Sequence, residues 1–119
     1  MPTILLIDDD DGVRQVIEEH LAEAGFDVVS AADTIIGRRQ FDRHPNVDLC
    51  LVDIVMPPGA PDGTSFAQSV RSDMPAMPVI LMTGYRSAIG SVADIATSLM
   101  HKPIDLDALT AEIERHLAT

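Results

Sequence analysis

Three nearly unbroken apolar runs, at residues 3–7, 47–52 and 78–82, most constrain what this chain can fold into. A strand with one wet face alternates apolar and polar residues, whereas a strand covered on both faces reads as a continuous apolar stretch. The three runs are of the second kind, which points to the interior of a parallel sheet. Two shorter runs, at 26–30 and 98–101, are half polar and belong nearer the sheet edges.

Between the runs lie helical patterns. Val13, Val16, Ile17, Leu21 and Ala24 fall on one helical stripe, and so do Leu106, Leu109, Ile113 and Leu117. Asp11 and Asp105 stand where N-caps are expected, and Gly25 stands where the first helix should stop. The segment 33–44 before Pro45 is a weaker helix, because Gly37 and Arg38-Arg39-Gln40 dilute its stripe. Segments 63–73 and 87–96 complete the set. Strand and helix thus alternate five times, which predicts an α/β fold with right-handed crossovers and helices on both faces of a five-stranded parallel sheet. At 119 residues the chain fits one domain, spanning 1–119.

Apolar residues at 46% and charged residues at 23% are ordinary globular usage and exclude disorder. A net charge of −11 repels phosphate backbones, so direct nucleic-acid binding is not expected. Cys50 is the sole cysteine and is flanked by Leu49, Leu51 and Val52, so it reads as a small core hydrophobe. That suits a reducing, cytoplasmic setting. No run approaches the ~18 apolar residues of a membrane span, and no membrane association is expected.

In such sheets ligands bind beyond the carboxyl ends of the strands. Asp8-Asp9-Asp10-Asp11-Gly12 follows the first run and Asp53 the third; Thr83-Gly84-Tyr85 closes the fourth and Lys102-Pro103 the fifth. Asp11 is read as a helix cap. Asp8 and Asp9, if they lie beside Asp53, would repel it by about 3 kcal/mol per pair at ~5 Å and an effective dielectric near 20. A hard cation such as Mg²⁺ resolves that crowding. Asp53 can then serve as a nucleophile toward phosphorus, with Lys102 supplying charge and Thr83 a hydrogen bond to a phosphoryl oxygen. Cys50, His20, His44 and His116 are read as structural or surface residues, and His101 as a strand-end neighbour without metal-ligand spacing.

Ile4 to Asp10, Leu51 to Pro57, Asp62-Gly63, Pro78 to Gly84 and His101 to Asp105 together resemble the receiver domain of bacterial two-component response regulators. The resemblance implies a flavodoxin-like, doubly wound (βα)5 sheet with strand order 2-1-3-4-5. It implies Asp53 as phosphoacceptor and Asp8 and Asp9 as the acidic pair for Mg²⁺, with Asp53 and the main-chain carbonyl of Val55 as further ligands. Thr83 becomes the switch hydroxyl and Lys102 the phosphoryl-pairing lysine, followed by a cis bond to Pro103. The donor would be a sensor histidine kinase or a histidine phosphotransfer protein, and the output a downstream protein target or a homodimer formed through the 87–119 face.

The chain also departs from that pattern. Leu99 replaces the aromatic usual at the switch position, the 83–102 stretch is short, and the loop after Asp53 is lengthened and carries Pro57, Pro58 and Pro61. Val55 and Tyr85 flank the path of a hydrolytic water, so slow self-dephosphorylation is expected. Two other readings compete. One is a receiver-like module that binds its partner whether or not Asp53 is modified. The other resembles a haloacid-dehalogenase-type phosphatase with Asp9 as nucleophile and Asp11 as acid, which leaves Asp53 without a task. On the reading as a phosphorylated receiver the domain promotes its own phosphorylation and dephosphorylation but is not a turnover enzyme.

Overall fold

A computed structural model describes residues 1–84 and 96–118. Its strands are β1 (Thr3–Ile7), β2 (Asp27–Ala31), β3 (Val47–Asp53), β4 (Val79–Thr83) and β5 (Ser98–His101). All pairings are parallel and the order is β2-β1-β3-β4-β5, a flavodoxin-like sheet. The three continuous apolar runs are the three central strands. Every residue of β1 and β4 is buried, and so is every residue of β3 except Asp48. The half-polar runs are the two edges.

Four helices appear among the described residues: α1 (Asp11–Glu23), α2 (Thr34–Arg43), α3 (Gly63–Asp73) and α4 (Leu106–Leu117). The helix expected at 87–96 lies, except for buried Ala96, outside the described residues, and so does Tyr85. Because side chains alternate along a strand, the sheet feeds two cores. Leu5, Ile7, Cys50, Val52 and Leu81 pack with Phe41 of α2 and Phe66 and Val70 of α3. Ile4, Leu6, Leu51, Ile80 and Met82 pack with Ile17 and Leu21 of α1 and Leu109 and Ile113 of α4. Burial also fixes Cys50, whose thiol is pushed up to about 12 by desolvation and is chemically quiet.

The expected start of α1 needs correction. Asp10, not Asp11, is the N-cap: its backbone is extended and its carboxylate accepts the Val13 N–H at 3.0 Å. Asp11 lies one residue inside the first turn and bonds Arg14 at 2.6 Å. In a run of four aspartates each carboxylate is chemically able to cap. The choice falls on Asp10 because the Asp8 carboxylate accepts its amide at 2.9 Å and holds it outside the helix. The stripe of α1 is also narrower than its spacing suggests, since Ile17 and Leu21 are buried while Val16 is 53% exposed and Ala24 lies on the surface. Asp105 caps α4 as expected, through the Ala108 N–H at 3.0 Å. Gly25 ends the α1 turn at φ 97°, a conformation that glycine adopts without strain.

Gly37, which weakens α2 as an isolated helix, has a packing reason. A Cβ at this position would run into the Ile7 side chain, so α2 sits directly on β1.

Candidate functional site

The register of the central strands builds the site. Ile7 pairs with Val52 and Asp53 pairs with Met82, so the residue after β1, the last of β3 and the last of β4 meet at one edge. Asp8 continues the strand path by donating its amide to Ala31 O at 3.2 Å. Asp53 is seated from the other side by α3: Gly63 donates to Ile54 O at 2.8 Å, and a Cβ on it would lie 2.8 Å from Ile54 Cα. Only glycine lets α3 start this close to the Asp53 main chain.

The Asp8 side chain is fully buried and Asp53 is 5% exposed, whereas Asp9 faces solvent. Carboxylate oxygens of the three lie within 4.8 Å of one another. Lys102 enters from the end of β5, where its amide donates to Thr83 O at 2.8 Å. Its ammonium donates to Asp8 Oδ2 at 2.9 Å and to Asp53 Oδ2 at 3.2 Å. The Lys102–Pro103 bond is cis. Burial, and then the charge of Asp8, push the Asp53 carboxyl above its ordinary range despite the ammonium beside it. For Lys102 burial works against the charged form, but the hydrogen bond to Asp8 and the fields of Asp53 and Asp8 outweigh it, and its pKa is raised.

The sequence predicts that a hard cation such as Mg²⁺ relieves the crowding of Asp8, Asp9 and Asp53; in the structure the Lys102 ammonium already lies between Asp8 and Asp53. Asp9 is different, since its carboxylate has no hydrogen-bond partner among the described residues. Two buried acids on the floor and one uncommitted acid at the mouth form an all-oxygen donor set, which fits a hard divalent cation such as Mg²⁺.

Thr83 is fully buried at the end of β4, one residue past the Asp53 partner Met82. Val55 is 44% exposed two residues beyond Asp53. Leu99 is half-buried against the core shared with α2 and α3. The proline-rich loop after Asp53 closes through Ala60 N–H to Pro57 O at 3.2 Å, with Gly59 at φ 92°. Sequence reasoning brought Asp8, Asp9, Asp53, Thr83 and Lys102 to this edge. It missed Arg14, whose Nη1 donates to the Asp8 main-chain oxygen at 2.7 Å and whose Nη2 donates to Asp11 at 2.6 Å. A main-chain acceptor leaves no signature in residue types, so no spacing rule points to it.

Comparison with known proteins agrees with this geometry. The family model described as the response regulator receiver domain matches residues 4–114. The regulatory protein AtoC of Escherichia coli is 36% identical over 96% of this chain, and the transcriptional regulatory protein GlrR of the same organism is 32% identical over 93%. The match spans 25% of the length of each of these two relatives. Among solved structures, a response regulator receiver domain protein from Clostridium thermocellum superposes with a TM-score of 0.90 at 26% identity, covering 99% of this chain and 95% of the other. The response regulator TrrA of Thermotoga maritima, in complex with Mg²⁺-BeF, also gives 0.90 at 26% identity, covering 98% of this chain and all of that one.

Proposed function

The chain belongs to the response regulator receiver domain family, and from that premise we propose that it is a switch thrown by phosphorylation of Asp53. The phosphoryl group comes from a phosphohistidine on a sensor histidine kinase or a histidine phosphotransfer protein. Asp8, Asp9, Asp53 and the main-chain carbonyl of Val55 hold Mg²⁺ during transfer. The observation that carries this reading is the single ammonium shared by two buried carboxylates beside an uncommitted third.

An Asp53 carboxylate oxygen attacks phosphorus; a P–O bond forms, the P–N bond to the donor imidazole breaks, and the imidazole takes up a proton from solvent. Mg²⁺ held by these residues would supply positive charge that offsets the carboxylates and the transferring phosphoryl oxygens. Lys102 has three N–H donors, so it can keep Asp8 while turning one toward a phosphoryl oxygen. Thr83 donates to another. An open groove of about 610 Å³ is lined by Lys102 together with Val13, Val16, Ile17, Ile104 and Leu106, and its apolar walls are where the histidine-bearing partner would dock.

Modification adds charge and acceptor oxygens at the strand ends and biases the 87–119 face toward a downstream protein or a second copy. Leu99 is an aliphatic side chain half-buried against the core, so the bias runs through Thr83 and Lys102 without an aromatic rotor. Val55 and Tyr85 hinder the hydrolytic water, and Val55→Asn or Tyr85→Ala shortens the phosphoryl lifetime. Residues 1–119 act as one domain, and its net charge of −11 keeps nucleic acid away from it. Among the described residues no helix is long and apolar enough to cross a membrane.

Treatment with acetyl phosphate and Mg²⁺, followed by peptide mass spectrometry, tests the reading. One added phosphoryl group is expected on Asp53, absent after chelation or in Asp53→Asn. Label on Asp9 with multiple turnover would instead support the phosphatase chemistry. Partner binding that is equal for wild type and Asp53→Ala, with and without phosphodonor, would favour a phosphorylation-independent module.

A further inference from the structure

We propose that Arg14 is a positioning residue for the metal: it orients the Asp9 carboxylate by holding the peptide bond that precedes it. This rests on the reading of the strand-end acids as a Mg²⁺ site. Asp8 and Asp53 are fixed by Lys102, and Asp8 also by burial. Asp9 has neither support, being exposed and without a side-chain partner among the described residues. The direction in which its Cα–Cβ bond leaves the chain is therefore set by its own backbone.

That backbone is held on both sides. The Asp8 carbonyl belongs to the Asp8–Asp9 peptide, and Arg14 Nη1 donates to it at 2.7 Å. The Asp10 N–H belongs to the Asp9–Asp10 peptide, and Asp8 Oδ1 accepts it at 2.9 Å. The two peptide planes that flank the Asp9 Cα are thus pinned, one by Arg14 and one by Asp8. Arg14 is itself anchored: Nη2 donates to Asp11 at 2.6 Å, its amide donates to Asp10 O at 2.9 Å, and its side chain is 19% exposed. The planar guanidinium fork reaches a carbonyl and a carboxylate at once from two separate nitrogens held in a rigid geometry, which the single nitrogen of a lysine does not match. Losing such an outer partner of a metal ligand typically costs 10–100-fold in metal affinity.

Electrostatics gives the test a sign. Arg14 is a cation beside a cation site, so if it acted only through charge, its removal would tighten Mg²⁺ binding. If it holds Asp9, removal weakens binding. Isothermal titration of unphosphorylated wild type, Arg14→Gln and Arg14→Lys with MgCl₂ distinguishes these. Arg14→Gln is expected to bind Mg²⁺ roughly tenfold more weakly, with Arg14→Lys between it and wild type. Labelling by acetyl phosphate at sub-saturating Mg²⁺ should slow in step with the loss of affinity, and thermal unfolding identifies any variant that has lost its fold. Equal or tighter binding by folded Arg14→Gln overturns the role of Arg14 alone, as does slower labelling without a change in affinity. Failure of wild type to take up Mg²⁺ overturns the metal-site reading and this inference with it.

Discussion

At the strand ends Lys102 lies between Asp8 and Asp53; on the α2–α3 surface Arg38 lies between Asp42 and Asp73. Each cluster has one cation and two carboxylates, and each ties together elements far apart in sequence. Both cations have raised pKa values: Arg38 chiefly through its hydrogen bond to Asp73, and Lys102 against the opposing pull of burial. They differ in water. The Asp42 and Asp73 side chains are 59% and 57% exposed, whereas those of Asp8 and Asp53 are 0% and 8% exposed. Solvent hydrates the surface acids whether or not Arg38 is present. At the strand ends water is largely excluded, and among the described residues Lys102 is the cation paired with the buried charge, which makes the cluster responsive to what binds there.

The sharpest way to break the comparison is to remove the buried cation. Lys102→Met leaves two carboxylates beside each other under the sheet edge, and breaking a buried ion pair in this way costs about 3–5 kcal/mol. Urea unfolding in the presence of a chelator should show that loss, and millimolar Mg²⁺ should restore part of it by binding the folded state alone. A loss below about 1 kcal/mol, the range of surface pairs, would put the two clusters in one class.

Removing an acid instead should do the opposite. The folded protein raises the pKa of Asp53, first through burial and second through Asp8. A raised carboxyl means that the native state holds its proton more tightly than the unfolded chain, so stability falls as pH rises from the ordinary carboxylate range through the raised value. Ionising Asp53 in the folded protein is thus a cost, and Lys102 keeps Asp8 when that carboxylate is gone. Asp53→Asn should therefore gain about 0.5–2 kcal/mol at pH 7, the usual increment when a strained functional group is relieved. The gain should shrink as pH falls through the raised value toward the ordinary carboxylate range, and be lost below it. Thermal melts across pH check it, and a loss of stability at pH 7 would show the Lys102–Asp53 pair to be net stabilising.

The buried cluster was largely legible in the sequence and the surface cluster was not. Asp8, Asp53, Thr83 and Lys102 each follow an apolar run, and strands of fixed rise in a parallel sheet bring their ends together, so order along the chain becomes proximity in space. Arg38 with Asp73 depends on how α2 leans on α3, which is set by Gly37 against Ile7 and Phe66, a steric fact that no periodicity carries. The N-cap of α1 failed for a related reason. Asp10 and Asp11 are the same residue type, and only the hydrogen bond from the Asp10 amide to Asp8 separates them. The edge positions of β2 and β5 followed from hydrophobic pattern and the sheet order from the family resemblance, whereas the exposure of Val16 followed from neither, because a helical stripe gives direction but not width.

The smallest expected effect sharpens the comparison from the exposed side. Arg38→Ala removes two solvent-screened ion pairs, a hydrogen bond to Ser69 at 2.9 Å and a guanidinium 5.4 Å from the Phe41 ring centroid. Exposed pairs contribute about 0–1 kcal/mol and an exposed cation–π contact about 0.5–1 kcal/mol, so the net loss should be near 1 kcal/mol. Salt separates the contributions. The ion-pair part fades as the Debye length falls toward ~3 Å in 1 M salt, while the packing on Phe41 persists. Urea unfolding of wild type and Arg38→Ala at low and high salt should show the difference between them narrowing without closing, and labelling of Asp53 by acetyl phosphate should be unchanged. A slower label would mean that α2 and α3 transmit strain to the Asp53 seat through Gly63, and the surface cluster would then be part of the switch.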